Sequence, residues 1–135
     1  SKMPRKLTRK SLVKKLDKVF SEYIRKRHAD KNGIAVCYTC SKKAHWKELQ
    51  CGHFVSRKQY ATRWDETNCQ VQCSGCNVFR YGEQYKFGRY LDSNFGDGTA
   101  DTLFQKGREI VKFANIDLEE MIEYYQKKLV ELNIK

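Results

Sequence analysis

The chain has 135 residues, of which 40% are hydrophobic and 32% are charged, and its formal net charge is +11. This length allows one domain with appendages, and the composition is typical of a globular protein, not of a disordered chain. No apolar run reaches 18 residues and no apolar segment follows the basic N-terminus, so we expect neither a membrane partner nor a secretory signal. We therefore expect a cytoplasmic protein whose six cysteines stay reduced, which favours metal binding over disulfide bonds.

Positive charge is concentrated in the first two thirds of the chain. Residues 1–31 hold 12 basic and 3 acidic side chains, a net charge of +9. Residues 32–96 hold 9 and 5, a net of +4, whereas residues 97–135 hold 6 and 8, a net of −2. Such a distribution is typical of a protein that holds a polyanion on one face, and nucleic acid is the polyanion we expect. The alternative is a basic helix that only keeps the protein soluble.

The first predicted element is an amphipathic helix over residues 8–30, which Asn32-Gly33 is expected to end. Its apolar residues recur at steps of three and four: Leu12, Leu16, Val19, Phe20, Tyr23 and Ile24. Its other faces carry lysines that could contact phosphates, among them Lys14, Lys15 and Lys18.

The middle of the chain has short strands and two Cys-x-x-Cys motifs. We predict strands at residues 34–37 and at about 46–55, followed by an irregular polar stretch at 56–67. The second cysteine motif is expected to open a helix that continues through residue 90.

The C-terminal region is predicted to be helical again, after a Gly/Asp-rich break at residues 94–99. One helix is expected over residues 101–114. A second begins at a capping box in which Asp117 is the cap residue. Its apolar stripe is interpreted first as core packing and second as a surface for a homodimer: Leu118, Met121, Ile122, Tyr125, Leu129 and Leu132.

The two cysteine motifs predict a zinc site. Each pair can place two thiolates on one ion, so the two pairs complete a tetrahedral, structural Zn²⁺ site: Cys37, Cys40, Cys73 and Cys76. The 32 residues between the pairs exceed the roughly 15–20 of a simple zinc ribbon, so we expect the function to reside in this insert.

Within and after the insert, Gly52-His53-Phe54, Asn68 and Cys73-x-x-Cys76-Asn77 resemble the HNH endonuclease motif in its variant with Asn at the third position. More narrowly, three segments are similar to the NinG (Rap) recombination proteins of lambdoid phages, which are DNA endonucleases. The similar segments are Gln50-Cys-Gly-His-Phe54, Arg63-Trp-Asp-Glu-Thr-Asn68 and Gln72-Cys-x-x-Cys-Asn77. By motif the resemblance covers about residues 30–92.

The resemblance implies a role for each motif residue. His53 would be the general base that deprotonates water, a task for which histidine has a suitable pKa. Asn68 would orient the loop or the base histidine and fix the tautomer of its ring. Asn77 would offer a carbonyl oxygen to a catalytic Mg²⁺ or Mn²⁺ ion.

The chain departs from many HNH enzymes at Gly52, because an acidic or histidine metal ligand often stands immediately before the base. Possible supplementary ligands are Asp65, Glu83 and Gln84. We interpret Cys51 and Cys69 as buried packing residues. His28 and His45 belong to no motif.

Other basic residues are candidates for DNA contacts. Arg57, Lys58 and Arg63 stand in the polar stretch, together with Tyr60 and Trp64, which could stack on unpaired bases or belong to the core. Arg80, Tyr81 and Gln84 are predicted to share a helix face with Asn77, where Arg80 could hold a phosphate oxygen.

Together these features predict an α+β protein with a small zinc-clamped ββα-metal (HNH, treble-clef-like) core. The core spans residues 32–96, between a basic N-terminal helix at 1–31 and a C-terminal helical region at 97–135. The resemblance implies a metal-dependent DNA endonuclease that hydrolyses branched recombination intermediates, such as Holliday junctions and D-loops, in the host cytosol. The alternatives are a nicking or homing-type HNH endonuclease and a non-catalytic zinc-dependent DNA-binding accessory protein.

Overall fold

The computed structural model describes residues 7–134 and has a mixed α/β architecture with two small antiparallel sheets. The helices are α1 (Arg9–Lys26), the one-turn α2 (Tyr60–Arg63), α3 (Gln84–Phe95), α4 (Thr99–Gly107) and α5 (Asn115–Leu132). The strands are β1 (Ile34–Val36), β2 (Lys43–His45), β3 (Gln50–His53) and β4 (Cys69–Gln72).

Helix α1 begins and packs as its sequence pattern predicts. Thr8 caps it, because the Thr8 side chain accepts a hydrogen bond from the Ser11 amide at 3.1 Å. The predicted stripe is buried at four positions, each of which contributes about 1.5–3 kcal/mol of burial free energy: Leu12, Leu16, Phe20 and Ile24. The predicted end was wrong: the helix stops at Lys26, and a turn separates it from Gly33.

Helix α5 lies against α1, and the two helices share one core cluster with Trp64 and Cys69. The rings of Phe20 and Tyr125 meet edge to face with centroids 5.0 Å apart. The predicted cap residue was wrong by three positions. Ala114 is the cap, and Asp117 lies inside the first turn, where its carboxylate accepts a hydrogen bond from the Ala114 amide at 2.9 Å.

The two sheets are hairpins of different span. β1 pairs with β2 across the first cysteine motif, and β3 pairs with β4 across the polar insert, with His53 opposite Cys69. The strand predicted at residues 46–55 is shorter, because Trp46–Glu48 forms a helical turn before β3 begins. β2 was not predicted, since three residues are too few for an alternating pattern to be recognised.

Two predicted helices are interrupted. The helix expected from the second cysteine motif through residue 90 is a π-helical turn, Gly75–Phe79, followed by a break and then α3. Tyr81, Gly82 and Glu83 all have positive φ in this break, so the helix cannot continue through it. Arg80, Tyr81 and Gln84 therefore do not share a helix face with Asn77. The helix predicted over residues 101–114 likewise ends at Gly107.

None of the helices in the described part of the chain is both long enough and apolar enough to span a bilayer.

Candidate functional site

The four cysteines of the two motifs form one cluster. The turn after β1 positions Cys37 and Cys40, and the end of β4 positions Cys73 and Cys76. Their sulfur atoms lie within 4.8 Å of one another, and those of Cys40 and Cys73 are 3.6 Å apart. Four sulfurs around a tetrahedral zinc ion, each about 2.3 Å from the metal, are separated by about 3.8 Å. The cluster can therefore hold a metal ion such as zinc.

Hydrogen bonds donated to the sulfur atoms favour thiolates in this cluster. Burial raises the pKa of the Cys37 thiol, but hydrogen bonds from the Cys73 backbone and from Thr39 outweigh burial and lower this pKa to about 6. Burial and the three neighbouring cysteines raise the pKa of Cys40 to about 12, because four thiolates repel one another unless a cation lies between them. The Cys76 amide donates to the Cys73 Sγ atom at 3.4 Å, and the Arg80 guanidinium donates to the Cys76 Sγ atom at 3.2 Å. Such donors favour the charged sulfur over the neutral thiol.

His53 lies at the end of β3, with its ring against the last residue of α2. Its Nε2 atom is 2.9 Å from the backbone oxygen of Arg63. Because a carbonyl oxygen only accepts hydrogen bonds, the neutral ring carries its proton on Nε2 and keeps the lone pair of Nδ1 available. Burial lowers the pKa of the ring below its ordinary value, against an opposing effect of the hydrogen bond to Arg63. His53 is thus held as a neutral imidazole with one basic nitrogen.

Two clefts of about 490 Å³ each meet at His53, Ser56 and Asn77, the three residues that line both of them. The first cleft runs along α1, past Asp17, Ser21 and Arg25, and also contacts Gln50, Cys51 and Arg57. The second runs past Tyr81, Gln84, Phe104 and Arg108. The fold therefore brings His53 and Asn77 to the same point, although they are 24 positions apart in the sequence.

Asn77 is held by a second amide. Its Nδ2 atom donates to the Gln50 Oε1 atom at 2.8 Å, which leaves the Asn77 Oδ1 atom as the acceptor of the pair. Within residues 7–134 this oxygen accepts no hydrogen bond. An amide oxygen is a ligand that Mg²⁺ and Mn²⁺ accept, so Asn77 fits such an ion.

The three supplementary ligands considered from sequence are placed differently from one another. Asp65 pairs with Lys106 at 2.7 Å and Glu83 pairs with Arg80 at 3.0 Å, so both carboxylates have other partners. Gln84 lines the second cleft together with Asn77. Of the three, only Gln84 is positioned at the candidate site.

Asn68 is fully buried behind the site and connects two backbone segments. Its Oδ1 atom accepts from the Val55 amide at 2.7 Å, and its Nδ2 atom donates to the carbonyl oxygens of Val55 and Thr62, each at 3.1 Å. Asn68 thereby fixes the loop that follows His53. The expectation that Asn68 fixes the tautomer of the ring was wrong, because the oxygen of Arg63 accepts the ring hydrogen bond.

A steric constraint that the sequence did not reveal explains why position 52 is a glycine. A Cβ atom at this position would lie 1.9 Å from the Gln72 Oε1 atom. The Gln72 side chain is fully buried and is held by hydrogen bonds from its Nε2 atom to Thr39 and to the backbone of Gly82, both at 3.0 Å. The glycine before the base therefore makes room for a buried glutamine, and no side chain can coordinate a metal from this position.

The predicted DNA-contacting residues fall into two groups. Arg57, Lys58 and the three lysines of α1 are exposed, and Arg57 lines the first cleft. Arg63 and Arg80 have partners within the protein, although Arg80 is exposed and pairs with Glu83 at the surface. Arg63 binds the Asp17 carboxylate through two nitrogens, at 3.0 and 2.5 Å, and its side chain is only 11% exposed. Trp64 also donates to Asp17 and belongs to the core.

Sequence reasoning missed several residues that line the clefts: Ser21, Arg25, Gln50, Ser56, Phe104 and Arg108. The helical spacing of Lys14, Lys18, Ser21 and Arg25 was a signal for part of this set. These four follow one another at steps of four, three and four, so they form one stripe of α1. Phe104 and Arg108 carried no comparable signal, because α4 reaches the site only through tertiary packing.

A family model described as bacteriophage lambda NinG protein matches residues 2–134. The match extends over α1 and α5 as well as over the motif region at residues 30–92. Searches of curated proteins and of solved structures found no significant match. The chain therefore belongs to the bacteriophage lambda NinG family, a family of phage recombination-related proteins.

Proposed function

We propose that this protein is a metal-dependent DNA endonuclease that cuts branched recombination intermediates. The observation that carries the proposal is the convergence of His53 and Asn77 where two clefts meet, with His53 held as a neutral base. Two basic residues, the half-buried Arg25 and the exposed Arg57, line the first cleft beside this meeting point. β3, β4 and the turn that begins at Gly75 would constitute the ββα-metal core of an HNH enzyme, with the Cys₄ zinc as its structural clamp.

In the proposed reaction, His53 Nδ1 takes a proton from a water molecule whose oxygen attacks the phosphorus. The P–O3′ bond breaks, which leaves a 5′-phosphate and, after protonation of the departing oxygen, a 3′-hydroxyl. A Mg²⁺ or Mn²⁺ ion held by Asn77 would supply electrostatic stabilisation of the phosphate charge. Gln50 orients Asn77 by accepting a hydrogen bond from the Asn77 Nδ2 atom, and Asn68 holds the loop behind the base.

The distribution of charge supports a DNA backbone as the ligand of the first cleft. Arg25 and Arg57 line this cleft, and the stripe of α1 that contains Arg25 continues to Lys18 and Lys14. Asp17, the acidic residue in the same wall, is neutralised by Arg63. Contacts of these cations with phosphates would position DNA without reading its sequence.

Exposed aromatic rings beside the second cleft support a preference for branched DNA. Tyr81 and Phe104 both line this cleft and are 88% and 61% exposed. A base stacked on an aromatic ring contributes about 1–3 kcal/mol, and branch points supply bases that are free to stack. Tyr60 and Trp64, the aromatic residues considered from sequence, pack against each other with ring centroids 5.8 Å apart.

A non-catalytic DNA-binding protein is the second candidate. The observation in its favour is that Asn77 is paired with the neutral Gln50 and not with a carboxylate. Hard divalent cations are usually bound with carboxylate ligands, so an amide pair would hold Mg²⁺ weakly. A protein of this kind would bind branched DNA and leave it intact.

The deciding experiment compares matched duplex, single-stranded, flap and four-way-junction DNA with the zinc-loaded protein in Mg²⁺ or in Mn²⁺. We expect cleavage that requires the added ion and is fastest on the flap or junction. Tyr81→Ala should reduce the preference for branched over matched DNA, and Tyr124→Ala, an exposed tyrosine on α5, is the matched control. Tight binding without cleavage under either ion would favour the non-catalytic candidate.

A further inference from the structure

A second group of potential metal ligands lies beside the candidate active site. Cys51, His53 and Cys69 each offer one ligand atom, and these three atoms lie within 4.8 Å of one another. We propose that they bind a thiophilic divalent cation, Zn²⁺ or Cd²⁺, and that this binding inhibits the enzyme by capturing His53. The inhibitory effect rests on the proposed function, whereas the binding itself does not.

The hairpin of β3 and β4 places these three side chains on one face. Cys51 and His53 are two residues apart on β3, so they point to the same side of the sheet, and Cys69 stands directly opposite His53 on β4. Two cysteines and one histidine form a ligand set that occurs in open zinc sites, where water takes the fourth position. Cys51 and His53 line the first cleft, from which that water could come.

The same register disfavours a disulfide between the two cysteines. Cys51 stands opposite Val71, so its relation to Cys69 is diagonal. Diagonal neighbours in a sheet are about 7–8 Å apart, which exceeds the Cα separation of about 4.4–6.8 Å in most disulfides. A metal ion bridges two sulfurs that are farther apart than a covalent S–S bond allows. The pair is therefore better placed for a shared ion than for oxidation.

Two arginines provide positive charge near these sulfurs. The charge of Arg25 interacts with Cys51, and Arg27 donates a hydrogen bond to the backbone oxygen of Cys69 at 2.8 Å. Burial and the neighbouring Cys51 raise the pKa of the Cys69 thiol, so a bound ion would have to replace the thiol proton.

Either mode of histidine coordination would remove the proposed base. A metal on Nδ1 occupies the lone pair that would accept the proton of water. A metal on Nε2 displaces the hydrogen bond to Arg63 and leaves the proton of the neutral ring on Nδ1. Mg²⁺ prefers oxygen ligands over thiolates, so the activating and inhibiting ions would use different ligands in neighbouring positions.

The binding test starts from protein that already contains its structural zinc, dialysed against increasing Zn²⁺ and analysed for metal content. Wild type should take up a second ion per chain, and Cys51→Ala should remain at one. Cys69→Ala provides a second variant if Cys51→Ala does not fold, and Ser56→Ala, another residue of the first cleft, is the control that should still bind two. Uptake of one ion by wild type, or of two by both cysteine variants, would overturn the site.

The inhibition test titrates Zn²⁺ into Mg²⁺-supported cleavage, with each variant compared with its own rate before zinc is added. Wild type should be inhibited at zinc concentrations that leave Cys51→Ala active. Equal sensitivity of the two proteins would overturn the inhibitory role. If no variant cleaves DNA but uptake of the second ion depends on Cys51, the proposed function fails and the metal site stands.

Discussion

The backbone oxygen of Arg63 lies 2.9 Å from the Nε2 atom of His53 and orients the ring of the candidate base. The guanidinium of the same arginine is fixed by Asp17 on α1 and donates to the backbone oxygen of Arg57 at 3.0 Å. α1 therefore contributes to the position of the base as well as to the charge of the surface. This relation connects the N-terminal helix to the chemistry that we assign to the hairpin.

Replacement of Cys73 by serine should abolish zinc binding and most of the structure. Cys73 is buried, and its sulfur accepts a hydrogen bond from the Cys76 amide. Serine would therefore remove one thiolate from the four-cysteine ligand set. The binding free energy of such sites is largely folding free energy. Metal analysis and far-ultraviolet circular dichroism check this together. Folded protein that contains no zinc would contradict the assignment.

Gly52→Ala should destabilise the protein, because the new methyl group would collide with Gln72. Overpacking a core of this kind costs about 1–3 kcal/mol. Denaturant unfolding of the zinc-loaded protein measures the effect. The control is the same substitution in a Gln72→Ala background, where the collision is removed and the cost should be smaller. An equal cost in the two backgrounds would show that Gln72 is not the cause.

The parts of the fold that the sequence predicted are those with strong local signals. The apolar stripe of α1 predicted its buried face, and the spacing of the four cysteines predicted a cluster that the structure assembles. The break within the predicted second helix was harder to predict from sequence. The break at Tyr81–Glu83 carried only Gly82 as a signal, and two of its three positive-φ residues are of types that rarely adopt this conformation.

The candidate site was predictable in its motif residues but not in their partners. The motif resemblance singled out His53 and Asn77. The hydrogen bond from the ring to Arg63 and that from Asn77 to Gln50 depend on how the hairpin closes, which no local pattern encodes. For the same reason the sequence did not reveal that Arg63 binds Asp17, a residue 46 positions earlier.

Lys14 and Lys18 should contribute to DNA affinity through phosphates. Removing both should reduce the slope of log K against log salt by about 1 per lysine, and should weaken binding to all DNA structures similarly. Binding is measured across a salt series without added Mg²⁺. Lys127→Ala, an exposed lysine on α5, is the matched control and should keep the wild-type slope. Equal slopes for all three proteins would indicate that α1 does not contact DNA.

Asp65 should stabilise the loop that leads to Asn68, in part through its charge. Burial raises the pKa of this carboxyl, but Lys106 and the amides of Thr67 and Asn68 outweigh burial and lower it. Asp65→Asn keeps the amide-accepting oxygen and loses the charge, so it should cost about 0–1 kcal/mol at pH 7. Asp65→Ala also leaves the two amides unpaired and should cost about 1–3 kcal/mol.

The sign of the pH dependence follows from the lowered pKa. The contribution of the charge is fully present above the unfolded carboxyl pKa of about 3.9, and is lost as pH falls through the still lower folded value. The difference in unfolding free energy between wild type and Asp65→Asn should thus be constant from pH 8 to pH 5. A difference that declines within that range would be incompatible with the assignment.

The rate of DNA cleavage by His53→Ala in a single turnover, at saturating protein and with Mg²⁺ present, tests the central claim most directly. Loss of a general base typically reduces the rate by about 10²–10⁴-fold. We expect that loss without a comparable change in DNA affinity or zinc content, and we expect wild-type cleavage from His28→Ala, an exposed histidine outside both clefts. Cleavage by His53→Ala at the wild-type rate would contradict the account.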